Sequence, residues 1–409
     1  MALLDPAQAK EARIALTSLS GRLLSLPPGA VAGPSLADGH AGIALAHATL
    51  DAVLPGQRHA NAARRAVEHA VQACTREPLR PSLYFGFPGI TWAAELLSGN
   101  PSVGPEADPL SPVDDVLETH VASSPWRGGF DLTGGLAGIC VYALERVHRA
   151  SARRILARAV ELFATLAVRC RPGLAWAIRP KRSGSILYNL GVPHGVPGVI
   201  GVLTRILSAG LDETVKRKAR ALLEGAIEWL LAQELPSDAD GCFAWAVGPG
   251  VPREPARVAW CYGDPGIATN LILAARAARE PAWERAGRRI ARRASQRRID
   301  QVRIVDASLC HGTAGVAHMF HRLYRLTRDE RLAEVARFWF GRTLAMRSVR
   351  RGFAGFAAYR SNPGSTGRPA ALGWYPDPGF LLGGAGVALA LAFAISGAEP
   401  TWDRVLLLS

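Results

Sequence analysis

Two short stretches, 259–263 (Ala-Trp-Cys-Tyr-Gly) and 308–312 (Ser-Leu-Cys-His-Gly), place two thiols and one imidazole in nearly the same glycine-bounded setting. Thiolate sulfur and imidazole nitrogen are ligands that zinc prefers, whereas calcium and magnesium want oxygen. Three protein ligands leave one coordination position open, the arrangement of a catalytic zinc and not of a structural one. Cys261, Cys310 and His311 are therefore expected to hold one Zn2+, provided that the fold brings them together. Either cysteine alone reads as a buried, inert thiol. His194, just before Gly195, carries an imidazole, the side-chain type most often used for general acid or base work. Asp131, four residues before Gly135, reads by itself as a helix N-cap. Arg257 lies four residues before Cys261 and Tyr262 directly after it, with surface charge and wall packing as their plain alternatives. His40 stands in a similar place with nothing to pair it, and His318 and His321 read as core or ligand-supporting residues.

The elements that must position these residues repeat. A Gly-x-x-Gly followed by an apolar run recurs seven times, beginning at Gly39, Gly86, Gly135, Gly195, Gly263, Gly312 and Gly383. Spacings of 47 to 71 residues leave room for two helices per unit. Glycine suits a tight entry into a helix, where φ is positive or backbones approach closely. The run after each motif is apolar on all faces and predicts an inner helix. The Arg-rich amphipathic segments 60–74, 150–168, 213–231, 281–297 and 328–344 predict outer helices with one wet face. Seven of each predict an all-α fold, an α/α toroid spanning 1–409 as one domain. The motif turns would then ring one mouth, and residues just before each motif would meet there. Segments 174–180 and 242–247 alternate like short strands, and 351–373 is long and rich in Gly, Pro and Ser. These are expected to overhang the mouth as a lid or peptide-binding rim.

Composition excludes several alternatives. The 409 residues carry a formal charge of +14, but only four lysines, and no basic block interleaves with aromatics. Nucleic-acid binding is not expected from such a scattered arginine surface. Six cysteines are too few for a disulfide scaffold, and residues 1–13 carry charges where a signal peptide would be apolar. A reducing cytoplasm is the expected location. The apolar run 380–395 contains glycines and is short for a membrane span, so no membrane insertion is expected.

Together, the seven glycine motifs, Trp260-Cys261-Tyr262-Gly263, Cys310-His311-Gly312, His194-Gly195 and the spacing of Asp131 to Gly135 give the chain its family likeness. It resembles the LanC lanthipeptide cyclases, the lanthionine synthetase C-like family, over nearly its whole length. The resemblance implies zinc held by Cys261, Cys310 and His311, chemistry served by His194 and Asp131, and Arg257 beside the site with Tyr262. It also implies addition of peptide cysteine thiols to dehydroalanine or dehydrobutyrine, giving lanthionine or methyllanthionine rings. The implied partner is a dehydrated precursor peptide with its leader, and a dehydratase and a peptide transporter are candidate further partners. Nothing like a dehydratase or kinase region is read ahead of the repeats, so a stand-alone cyclase is expected. Two alternatives keep the scaffold: addition of glutathione to dehydrated residues, or a non-catalytic holder of the precursor peptide. A glycosidase would need two carboxylates, with Asp131 and Asp264 as candidates, and would leave the Cys/His set unexplained.

Overall fold

The computed structural model describes residues 2–27, 29–31, 33–56, 58–99, 108–178, 185–348, 350–361 and 371–409. The described residues hold fourteen α-helices in strict alternation of character. Seven start at the repeat motifs: α2 (His40–Val53), α4 (Phe87–Ser98), α6 (Leu136–Glu145), α8 (Val196–Ser208), α10 (Asp264–Ala278), α12 (Thr313–Thr327) and α14 (Gly384–Ser396). The first glycine of every motif is the N-cap of its helix. The other seven are α1 (Pro6–Leu24), α3 (His59–Arg76), α5 (Ser111–Ala122), α7 (Ala150–Leu166), α9 (Glu213–Leu231), α11 (Pro281–Ser295) and α13 (Glu330–Ala345). The two classes differ as their sequences require. In α14 every residue from Gly384 to Ile395 is buried. In α9 the buried set is Ala219, Leu222, Leu223, Ala226, Ile227, Trp229 and Leu230, one helical stripe facing a neighbour.

Two compact units are formed, residues 1–78 with 303–400, and residues 79–302 with 401–409. In the first, α14 packs against both α2 and α12, while α3, α13 and α1 back onto α2, α12 and α14 respectively. In the second, α4, α6, α8 and α10 are successive neighbours, with α7, α9 and α11 behind α6, α8 and α10. The C-terminal segment is buried in this second unit. Tyr84 Oη donates to Val405 O at 2.8 Å, and Trp260 Nε1 donates to Leu406 O at 2.9 Å.

The motif turns share one construction. A Cβ on Gly195 would collide with the carbonyl oxygen of Asn189, and one on Gly312 with Ser308 N and the Asp306 carboxylate. Close approach, not backbone sign, is thus the main demand; of the seven N-cap glycines only Gly263 has a positive φ, at 149°. Several neighbouring turns are laced through the carbonyl two residues before an N-cap glycine. Leu132 N and Thr133 N both donate to Pro193 O, at 3.0 and 3.2 Å. Phe380 N and Leu381 N both donate to Ala37 O at 2.9 Å, and Cys310 N donates to Leu381 O at 2.8 Å. Backbone amides that a turn leaves unpaired are satisfied by the next turn, so the turns hold one another in place.

Short antiparallel pairs complete the structure: β1 (Val168–Arg169) with β2 (Leu174–Ala175), β3 (Tyr188–Asn189) with β4 (Ala246–Val247), and β5 (Ala357–Ser361) with β6 (Leu372–Pro376). The strand-like reading of 174–180 and 242–247 holds for 174–175 and 246–247, with Ile178 also bridged antiparallel to Leu187, and Arg179 and Pro180 lie outside the described residues. Segment 351–373 is more regular than its composition suggests. It supplies β5 and the start of β6, with Tyr359 opposite Trp374 and their ring centroids 5.2 Å apart. Such a cross-strand aromatic pair stabilises a register that Gly, Pro and Ser alone would not specify. Residues 362–370 lie outside the described residues. No described helix is long and apolar enough to cross a membrane.

Candidate functional site

The turn before α6 carries Asp131 and the turn before α8 carries His194. The two amides given to Pro193 O fix these turns side by side, and His194 Nδ1 lies 2.9 Å from Asp131 Oδ2. The other carboxylate oxygen of Asp131 accepts from Gly134 N at 3.0 Å. Asp131 is therefore a turn acceptor, as a capping residue would be, and a partner for the imidazole as well. With Nδ1 committed to the carboxylate, Nε2 is the ring nitrogen that can exchange a proton with a substrate. Both side chains keep some access to solvent, at 41% and 24% exposed.

The turn before α10 carries Arg257, Cys261 and Tyr262. Cys261 is buried and Tyr262 half-buried. Asn189 Nδ2 donates to Tyr262 Oη at 3.2 Å, and Asn189 Oδ1 accepts from Gly191 N at 2.8 Å, which fixes the amide orientation. Trp245 packs edge-on against Tyr262, with centroids 6.3 Å apart. A Cβ on Gly191 would strike Cys261 O and the Tyr262 ring, so glycine lets these two turns touch. Arg257 is half-buried, and among the described residues its guanidinium forms no hydrogen bond or ion pair.

Cys310 and His311 stand before α12, in the places that Cys261 and Tyr262 hold before α10. The buried Asp306 builds this turn: Oδ1 accepts from Ser308 N at 3.0 Å and Ser308 Oγ at 2.8 Å, and Oδ2 accepts from Tyr359 N of β5 at 3.0 Å. That second oxygen also lies 3.9 Å from His311 Nε2, too far for a hydrogen bond. Cys261, Cys310 and His311 form a group that could hold a metal ion, each offering one ligand atom, all within 4.8 Å of one another. The donor set, two sulfurs and one nitrogen, fits zinc. Three of the other thiols are unsuited. Burial pushes Cys74 up to about 11 and Cys242 up to about 12, and raises Cys140 further, so all three stay protonated.

The remaining candidates fall elsewhere. His40 packs against His69, with ring centroids 4.3 Å apart. His318 and His321 are fully buried in α12 against Phe393, as core residues. Asp264 is buried with its oxygens taken by the Cys242 and Phe243 amides, at 2.9 and 3.1 Å, so it is no second catalytic carboxylate for a glycosidase. The sequence reading passed over Asn189 and Asp306. Both lie six residues before a motif glycine and accept the amide two residues ahead. An Asn or Asp at that spacing was the available signal.

Nisin cyclase superposes with a TM-score of 0.72 at 18% identity, covering 98% of this chain and 97% of that one. That likeness shows the fold, an α/α toroid. A cellobiose 2-epimerase from Bacillus thermoamylovorans aligns with a TM-score of 0.44 at 12% identity, over 96% of this chain and 100% of its own. The family model described as lanthionine synthetase C-like protein matches residues 30–407. The chain therefore belongs to the lanthionine synthetase C-like family.

Proposed function

We propose that this protein is a zinc-dependent cyclase acting on a dehydrated ribosomal precursor peptide. It adds the peptide's cysteine thiols to dehydroalanine or dehydrobutyrine and closes lanthionine or methyllanthionine rings. The observation that carries this reading is the grouping of Cys261, Cys310 and His311 within 4.8 Å. Membership of the family and a fold like that of nisin cyclase support it.

Cys261, Cys310 and His311 would hold the zinc, with the Asp306 carboxylate 3.9 Å from the His311 ring. Bound there, zinc would lower the pKa of a substrate thiol from its usual ~8.5 and keep it a thiolate at neutral pH. Attack forms a carbon–sulfur bond at the alkene β-carbon and leaves an enolate, which must take a proton at the α-carbon. His194 is the acid for that step: Asp131 holds Nδ1 and stabilises the charged ring, and Nε2 gives the proton. Arg257, with no side-chain partner among the described residues, suits the developing enolate oxygen. Tyr262, braced by Asn189, would wall the substrate. The six free cysteines suit work in a reducing cytoplasm, and the family match over 30–407 supports one functional domain. A dehydratase and a transporter would be its working neighbours.

The test combines metal analysis with mass spectrometry of a dehydrated cysteine-containing peptide after thiol alkylation. About one zinc per chain and loss of alkylatable thiol are expected, with both lost in Cys261→Ala and Cys310→Ala. Retained zinc and ring closure in both variants would sink the reading. Peptide binding without turnover would make the protein a holder. A glutathione adduct in place of a ring would make it an intermolecular thiol-adding enzyme.

A further inference from the structure

A second cluster of titratable side chains lies where α1, α2 and α3 meet. His47 is 4% exposed, and its Nδ1 is 2.8 Å from Nδ1 of His59. His59 Nε2 is in turn 2.7 Å from Ser20 Oγ. His40, His47, Arg65 and His69 line one cavity of about 450 Å³, whose other walls include Leu23 and Ile43. No carboxylate lines it among the described residues. Asp51 acts on His59, and its Oδ1 accepts from the Ala60 amide at 3.0 Å.

The electrostatics of this cavity lack an anion. Burial lowers the pKa of His40, and His69 lowers it further. Burial lowers His47 to about 4, with His59 and Arg65 adding to the effect. Basic groups that disfavour one another's charge, gathered on a cavity without a carboxylate, gain from any oxyanion that enters. The aliphatic part of the lining, Leu23 and Ile43 among it, would leave a bare inorganic anion partly unmatched, and rewards an apolar tail.

We propose that this cavity is a binding site for a small carboxylate with an apolar tail, its head against His40, Arg65 and His69 and its tail against Leu23 and Ile43. The serine–histidine–histidine chain behind it lets His47 present either a donor or an acceptor to the head group. A bound carboxylate raises the proton affinity of the facing imidazoles, so binding takes up protons.

The probes are hexanoate and inorganic phosphate, titrated calorimetrically into the full chain at near-neutral pH in two buffers of different ionisation heat. Hexanoate is expected to bind at about millimolar affinity or tighter, with proton uptake, and phosphate at least about tenfold more weakly. Arg65→Gln, at an exposed position, should weaken hexanoate about tenfold while zinc content and thermal unfolding stay unchanged. Three results would each overturn the proposal: no hexanoate binding at about 50 mM, phosphate as tight as hexanoate, or binding indifferent to Arg65→Gln.

Discussion

Replacing Asp131 by asparagine changes one atom and tests the acid–base pair directly. The carboxylate now accepts two hydrogen bonds, from Gly134 N at 3.0 Å and from His194 Nδ1 at 2.9 Å. An amide has one oxygen and one NH₂, so it can serve only one of these donors. If it keeps the Gly134 bond, its NH₂ faces Nδ1 and forces the proton of a neutral ring onto Nε2. A charged ring, with N–H on both sides, then meets a donor where it needs an acceptor. A charge-assisted hydrogen bond contributes about 1.5–3 kcal/mol when sheltered. The pair is 41% and 24% exposed, and solvent screening reduces this to about 1–2 kcal/mol. The expected loss in kcat is therefore about 5- to 30-fold, with KM and zinc content unchanged. Single-turnover ring closure, followed by alkylation and mass spectrometry, measures it. A kcat within about twofold of the parent would refute the role of Asp131. Zinc loss alongside rate loss would show that the turn, not the proton transfer, had been disturbed.

Other consequences concern the frame around the site. Gly312→Ala drives a Cβ into Ser308 N and the Asp306 carboxylate, and should lower stability to urea by about 1–3 kcal/mol or more. Unchanged unfolding would mean that the turn yields freely. Arg146→Ala should destabilise by about 3–5 kcal/mol, because its buried guanidinium bonds Asp114, Asp108 and Glu95, and those carboxylates would be left unpaired. A midpoint shift worth under about 1 kcal/mol would contradict this. Burial raises Asp264 to about 6 from an ordinary 3.8, so the native state holds its proton over that interval while the unfolded chain releases it. Stability relative to Asp264→Asn should therefore fall as pH rises from about 4 to 6, by on the order of 2–3 kcal/mol. Urea midpoints of both proteins across this window decide it, and a flat or rising difference would reverse the sign.

Much of the site was legible because glycine marks it. The six-residue turn needs a residue without Cβ at its closing position, and seven such positions announce themselves at a repeating distance. Alternating fully apolar and amphipathic runs follow from the two classes of helix, as α14 and α9 show. The β5–β6 hairpin was not legible, since its register rests on a cross-strand contact between Tyr359 and Trp374 rather than on a local pattern. Asn189 and Asp306 were missed for a similar reason: an amide acceptor inside a turn looks, in one dimension, like any polar loop residue.

By itself, then, the sequence determined the donor chemistry, two sulfurs and a nitrogen suited to zinc, and the repeat that sets each donor just before a helix. Residue type and local spacing are enough for both. Tertiary structure alone decided what each side chain faces. It set His194 against Asp131 because Pro193 O collects two amides from the neighbouring turn, and it made Asp264 a buried acceptor beneath the Cys242 and Phe243 amides. It also gathered His40, His47 and His69 on one cavity. The first two outcomes depend on hydrogen bonds to backbone amides from segments tens of residues apart, which residue spacing does not encode.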